Sequence, residues 1–319
     1  MRCSNPNCNE TNHQPGAMYC YRCGSILLND DFDDSYGFMD EVETPNSDYY
    51  QPRSYQQEID PDVPLTIRNG AVLKCDGSVY GRLAIDDYAR GEIITAIGPH
   101  AFLACGSLSE IVIPDTVTSI GVGAFSNCHG LSEVFLPDSL IRIGSGAFSE
   151  CWHLHGMVLP DSVTGLGDHA FSNCSNLSYV VLSNSLARIE NGVFSGCSFL
   201  SDVTIPFSVT SIGDGAFSGC SNLSFLIMPD SVTRIGDRAF YNCTRLTGIE
   251  IPDSVTIIGD AAFSNCSRLT EIEIPYSVRR IGDGAFMGCS DLRRIIIRNR
   301  NTSIGMVAFD HPEYITYDY

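Results

Sequence analysis

Nine cysteines recur at a strict 23-residue spacing: Cys105, Cys128, Cys151, Cys174, Cys197, Cys220, Cys243, Cys266 and Cys289. No insertion or deletion interrupts the period between the first and the last. Spacing held that strictly means one structural unit copied and stacked, and a repeat decides the fold before any other signal does. Other columns keep the same register. Phe recurs from Phe102 and Phe125 through to Phe309, and Leu from Leu108 and Leu131 through to Leu292. Stacking one coil per strand spacing, about 4.8 Å, predicts a solenoid about 45 Å long. Such an array builds a long surface and rarely a catalytic pocket, so the expectation is binding.

One repeat shows how. In Leu108-Ser-Glu-Ile-Val-Ile113, the residues Leu108, Ile111 and Ile113 predict a short strand with its apolar side inward. Pro114 ends it, having no N–H for a ladder. Val117 and Ile120 form a second inward run, and Gly121 turns the chain. Ala124, Phe125 and Cys128 then have the spacing of a single helical turn, with Asp214, Asp237, Asp260 and Asp283 placed to N-cap it in later repeats. The fourth repeat departs from the pattern: Leu182-Ser183-Asn184 replaces the proline turn and Glu190 replaces the glycine, which predicts a local irregularity.

The flanking segments differ in composition. Within residues 1–28, Cys3, Cys8, Cys20 and Cys23 form a C-x4-C-x11-C-x2-C pattern. Four thiolates in two close pairs suit a closed, structural tetrahedral Zn2+ site, and so short a segment cannot bury a sufficient core alone. The alternatives are two disulfides or free thiols; the absence of an apolar h-region near Met1 argues for a cytoplasmic location, where disulfides are rare. His13 lies between the pairs as a loop residue or a substitute ligand. Residues 29–64 hold eleven acids against Arg53, with Pro45, Pro52, Pro61 and Pro64 interspersed, and are expected to be an acidic disordered linker. Residues 65–93 are expected to form an N-terminal β cap with hairpin turns at Asn69-Gly70 and Asp76-Gly77. The solenoid then spans 94–309, with a C-terminal cap over 310–319.

Two resemblances follow from these residues. The run Pro15-Gly-Ala-Met-Tyr-Cys20-Tyr-Arg-Cys23-Gly24 resembles the short N-terminal zinc ribbons of many bacterial multidomain proteins. The recurring I-P-x-S-V-T-x-I-G-x-x-A-F-x-x-C-x-x-L, over roughly residues 94–309, resembles the leucine-rich repeats called BspA-like. The fold class expected is α/β: a strand-rich leucine-rich-repeat solenoid of 23-residue repeats with a small zinc ribbon. The resemblance implies a surface or interaction protein such as an adhesin, a host-protein binder or an antigen.

Chemistry beyond binding finds little support. The formal net charge is −19, which excludes nucleic acid as the main partner, since binding phosphate needs clustered Lys and Arg. No apolar run of eighteen residues is present, so no membrane insertion by a helix is expected. The cysteine ladder reads as small buried hydrophobes. The Thr116, Ser139, Ser162, Ser185, Ser208, Ser231, Ser254 and Ser277 ladder reads as hydroxyls satisfying backbone groups of adjacent turns. His129, His153 and His155 beside Trp152, and the stacked aspartates, are weaker metal candidates than the N-terminal cysteines. No nucleophile has a base spaced to serve it, so no enzyme is expected.

The outward positions of the first strand are free of fold constraints. Phe135, Val158, Val181 and Ile227 share one column, and Tyr179 and Phe225 the neighbouring one, bordered by Glu110, Glu133, Glu250, Glu271 and Glu273. An apolar strip with a carboxylate rim has the composition of a surface that recognises a protein partner. The leading expectation is a non-enzymatic binding or scaffold protein using this face. The alternatives are a bacterial surface adhesin or antigen, and a zinc-ribbon regulatory protein. Arg279, Arg280, Arg293, Arg294, Arg298 and Arg300 form one basic island near the C-terminal end.

Overall fold

The structure, a computed structural model, describes residues 65–317 apart from Asp76, together with the backbone strands Arg2–Cys3 and Leu27–Leu28. The chain divides into two units, Met1–Asp62 and Val63–Tyr319. In the first, Arg2–Cys3 pairs antiparallel with Leu27–Leu28. Cys8, Cys20, Cys23 and the linker lie outside the described residues.

The second unit is a solenoid of parallel strands, offset by the sequence period. Glu133–Phe135 pairs with Leu108–Val112 through Glu133↔Glu110 and Phe135↔Val112, and Glu271↔Arg294 continues the rule near the other end. Alternation drives the strand: Leu108, Ile111 and Ile113 point inward and are buried, while Glu110 and Val112 point outward. The exposed sheet is not continuous, however. Its ladder is closed in four pieces, with breaks between the strands ending at Phe135 and Val158, Thr204 and Ile227, and Glu250 and Ile274.

The second short strands form two sheets, one from Leu65–Arg68 to Gly165–Leu166 and one from Ser211–Ile212 to Ser303–Ile304. The gap falls at the fourth repeat, where Ile189 meets Ile212 only through an isolated bridge. Its cause is steric. At the glycine column successive backbones nearly touch: a Cβ on Gly167 would lie 2.2 Å from the Ser145 nitrogen, and one on Gly213 2.7 Å from the Glu190 carbonyl carbon. Glu190 carries a Cβ in this column, so its coil cannot approach Gly167 as the others do. Gly259→Ala is therefore expected to cost about 2 kcal/mol, because its Cβ would meet the Asp237 nitrogen at 2.5 Å. Urea denaturation checks this; an unchanged midpoint would contradict the close approach.

The expected helical turn is not there, and the α component of the fold class is corrected accordingly. Among the described residues the one helical element is the 3-10 turn Pro312–Tyr314. Left-handed residues interrupt each would-be helix, Gly123 at φ +58° and Asn127 at φ +60° in the repeat that begins at Leu108. N–H groups then alternate. Gly123, Phe125 and Asn127 donate to Ser145, Ala147 and Ser149 of the next coil, at 2.9, 2.7 and 2.9 Å, while Ala124 and Ser126 bond back within the turn. The aspartates serve the stack rather than a cap. Asp214 Oδ1 accepts the Asp237 N–H at 2.9 Å, Asp237 that of Asp260, and Asp260 that of Asp283.

The core consists of stacked columns. Ten phenylalanine rings run from Phe102 to Phe309, with neighbouring centroids between 4.9 and 5.8 Å apart. Beside them each cysteine from Cys128 to Cys289 donates its S–H to the carbonyl of a phenylalanine in the preceding coil, as Cys128 does to Phe102 at 3.0 Å and Cys220 to Phe194 at 3.2 Å. The hydroxyl ladder satisfies backbone carbonyls: Ser139 donates to Val117 at 2.6 Å, Ser231 to Val209 at 2.6 Å and Ser254 to Val232 at 2.6 Å. It fails only around the irregular repeat. There Ser183 takes over the role of Ser185 by donating to Val163, and the buried Ser208 hydroxyl has no partner.

Both ends of the array are covered by strands. Leu65–Arg68 and Ala71–Cys75 form a hairpin whose Asn69-Gly70 turn has both residues at positive φ. Ala71–Cys75 then pairs with Ala96–Ile97, and Gly81–Ala84 with Leu108–Val112. A second hairpin, Tyr88–Ala89 with Glu92–Ile93, turns at Arg90-Gly91. At the far end Ile315–Tyr317 runs parallel to Ile295–Ile297.

Candidate partner surface

The outward faces of the first strands carry the residues singled out above. Phe135, Tyr179, Val181 and Phe225 are exposed by 38, 46, 52 and 41%, respectively, and Val158 and Ile227 are half-buried. Register places Tyr179 beside Gly156 and Asp202, and Val181 between Val158 and Thr204. Phe225 sits beside Gly248, and Ile227 beside Glu250. The ladder break after Thr204 divides the strip into a Val158–Tyr179–Val181 group and a Phe225–Ile227 group.

Two glycines support this strip, and sequence reasoning missed their part. The Tyr179 ring lies across Gly156, where an added Cβ would meet ring carbon Cζ at 2.2 Å. The Phe225 ring lies more loosely beside Gly248, where an added Cβ would sit in ordinary contact with it at 3.9 Å. An aromatic side chain lying over a cross-strand glycine shields backbone that no side chain protects. The signal was present in the repeat alignment: Gly156 and Tyr179, like Phe225 and Gly248, occupy one column in consecutive repeats. Covering glycine accounts for the position of the Tyr179 ring and leaves its outer face exposed.

The acidic border divides into paired and unpaired groups. Glu271 bonds Arg294 at 2.9 Å, and Glu273 bonds Arg298, so these two carboxylates are engaged with the basic island. Arg280 of that island is held by Asp260 at 2.9 Å, and Arg293 lies over the Tyr314 ring. Glu250 is exposed and in no ion pair. Elsewhere, Trp152 stacks on His129 with centroids 3.8 Å apart, and His153 Nδ1 lies 2.5 Å from the His129 carbonyl oxygen. No group of three or more metal-ligating side chains occurs among the described residues. Burial pushes the core thiols of Cys174 and Cys243 up to about 12, which keeps them protonated at neutral pH.

A strand-rich solenoid of 23-residue coils with a filled core and an outward strand face defines a leucine-rich-repeat protein. The model of the BspA type leucine rich repeat region matches residues 95–224 and 187–316, and the chain belongs to that family. Among solved structures it is similar to a leucine-rich repeat protein of T. pallidum, with 27% identity and a TM-score of 0.48, over 64% of this chain and 86% of that one. It is also similar to a leucine-rich cell surface protein from Faecalibacterium prausnitzii, with 24% identity and a TM-score of 0.36, over 80% and 93% of the two chains. The pneumococcal vaccine antigen PcpA shares 20% identity with a TM-score of 0.47, over 72% and 66%. No curated protein sequence matches the chain.

Proposed function

We propose that the chain is a non-enzymatic recognition protein that holds a protein partner on the exposed strand face of the solenoid. The observation that carries this reading is the exposure of Phe135, Tyr179, Val181 and Phe225 on one strand face of an array whose repeated Phe, Leu and Cys columns are buried. Exposed aromatic groups of that size on a rigid scaffold are typical anchors for a partner. Membership of the BspA type supports a surface adhesin or antigen over a cytosolic scaffold, given the roles implied by the resemblance drawn from the repeats. Cell fractionation separates the two, and a purely cytosolic signal would exclude the adhesin.

The double variant Phe135→Ser with Phe225→Ser is expected to keep its circular dichroism and melting profile, since both side chains project outward, and to lose partner capture. Capture by the double variant equal to that of the parent chain would sink the reading.

We propose further that Cys3, Cys8, Cys20 and Cys23 bind one structural zinc ion. The pairing of Arg2–Cys3 with Leu27–Leu28 supports this by bringing the ends of the segment together. Metal analysis of the full chain is expected to give about one zinc per chain, lost in the Cys20→Ser and Cys23→Ser double variant. A zinc-free parent chain purified without chelator contradicts it.

A further inference from the structure

Charge is segregated around the solenoid. Between Leu108 and Asp253, the outward positions of the first strands and the turn residue after each carry carboxylates from Glu110 and Asp115 through Glu133 and Asp202 to Glu250 and Asp253, but no Lys or Arg. The five cations of this stretch lie elsewhere: Arg142 and Arg234 on the second strands, Arg188 in the same column as these two, Arg238 in the phenylalanine turn, and Arg245 in the loop before Gly248–Glu250, bonded to Asn222. A random scatter of charge would put some cations on both faces. Salt bridges close the acidic face only at its ends, through Arg82 with Glu110 and Arg294 with Glu271. In the middle, the exposed carboxylates of Glu133, Asp202 and Glu250 are in no ion pair. Glu133 lies two residues before Phe135 on the same strand, Asp202 is in register with Tyr179, and Glu250 is in register with Ile227.

We infer that the partner presents a cationic, apolar protein segment, with Lys or Arg set against Glu133, Asp202 and Glu250 and apolar side chains over Tyr179, Val181 and Phe225. This rests on the strand-face reading and adds the chemistry of the occupant. Complementary charge selects the partner and speeds encounter, while the apolar strip supplies contact area. The same field repels nucleic acid and anionic lipid.

Two synthetic peptides test it, both with Leu and Phe at the same positions, one with Lys and one with Glu at the rest. Each is titrated against the full chain by fluorescence polarisation at low and at moderate salt. The Lys peptide is expected to bind, to weaken as salt rises, and to outbind the Glu peptide. The variant Glu133→Gln, Asp202→Asn, Glu250→Gln is expected to lose about tenfold in affinity. The control Glu150→Gln, Asp168→Asn, Asp237→Asn removes equal charge in the phenylalanine turns, off this face, where Asn191 already serves in the aspartate column, and is expected to change affinity less than about twofold. Equal loss in both variants, or equal binding of both peptides, overturns the inference. If both peptides bind equally and the Phe135→Ser, Phe225→Ser chain loses both, only the charge assignment fails. If that chain binds the Lys peptide as tightly as the parent, the strand-face reading fails with it.

Discussion

Truncating Phe217 to alanine is expected to destabilise the array by about 4 kcal/mol. Phe217 is fully buried and stacks between Phe194 and Phe240 with centroids 5.5 and 5.4 Å away. The neighbouring rings cannot close the void. Phe194 N–H is bonded to the Ala216 carbonyl, and Phe217 N–H to that of Ala239, each at 2.8 Å, so the backbone fixes the coil spacing on both sides. In a one-dimensional array each coil depends on its neighbours, so a weakened central interface also divides the cooperative unit. Urea denaturation followed by circular dichroism is expected to show a lower midpoint and two resolved transitions. Phe309→Ala should cost less, since Phe309 stacks on Phe286 alone. A loss below about 1 kcal/mol at Phe217 would mean that the ring column does not hold the coils together.

Alkali is expected to unfold the protein more sharply than any single substitution. Burial raises the thiols of Cys128, Cys174, Cys243 and Cys289 to about 12, and those of Cys151, Cys197, Cys220 and Cys266 well above their ordinary value. The folded chain therefore keeps these protons at pH values where the unfolded chain releases them. Stability from this source is complete below about pH 9, falls as pH rises past it, and is lost on passing the folded value. Each thiol removes about 1.4 kcal/mol per pH unit in that window, so the ladder together removes on the order of 10 kcal/mol per unit. That matches the whole stability of an ordinary domain. Circular dichroism against pH is expected to show cooperative unfolding between about pH 10 and 11, shifted upward in a Cys220→Ala, Cys243→Ala chain. Native structure persisting at pH 12 would contradict the burial of the ladder.

Periodicity made the solenoid legible, because identical columns can be stacked only one way. Column membership alone assigns Phe217, Cys220 and Leu223 to the core and Phe225 to the outside. The helical turn misled because the Ala124, Phe125, Cys128 spacing matches a helix, whereas the left-handed Asn127 and Gly123 direct alternate N–H groups to the next coil. Glu190 was legible as an irregularity, but its consequence depended on backbones packed so closely at the glycine column that an added Cβ would clash, which no spacing reveals. On the strand face the columns located Phe135 and Tyr179 correctly among exposed residues, yet they could not show Glu271 and Glu273 engaged by Arg294 and Arg298. Ion pairing between neighbouring coils depends on rotamers, which a repeat alignment does not encode.

Photo-cross-linking from two faces tests the strand-face assignment most directly. A photoreactive phenylalanine analogue replaces Tyr179 in one full-length chain and Arg238, exposed in the phenylalanine turn, in another. Each chain is irradiated with material from the native organism. The account predicts a discrete adduct from position 179, competed by unlabelled parent chain and not by the Phe135→Ser, Phe225→Ser variant, with no such adduct from position 238. A competed adduct from position 238 with none from position 179 would contradict it.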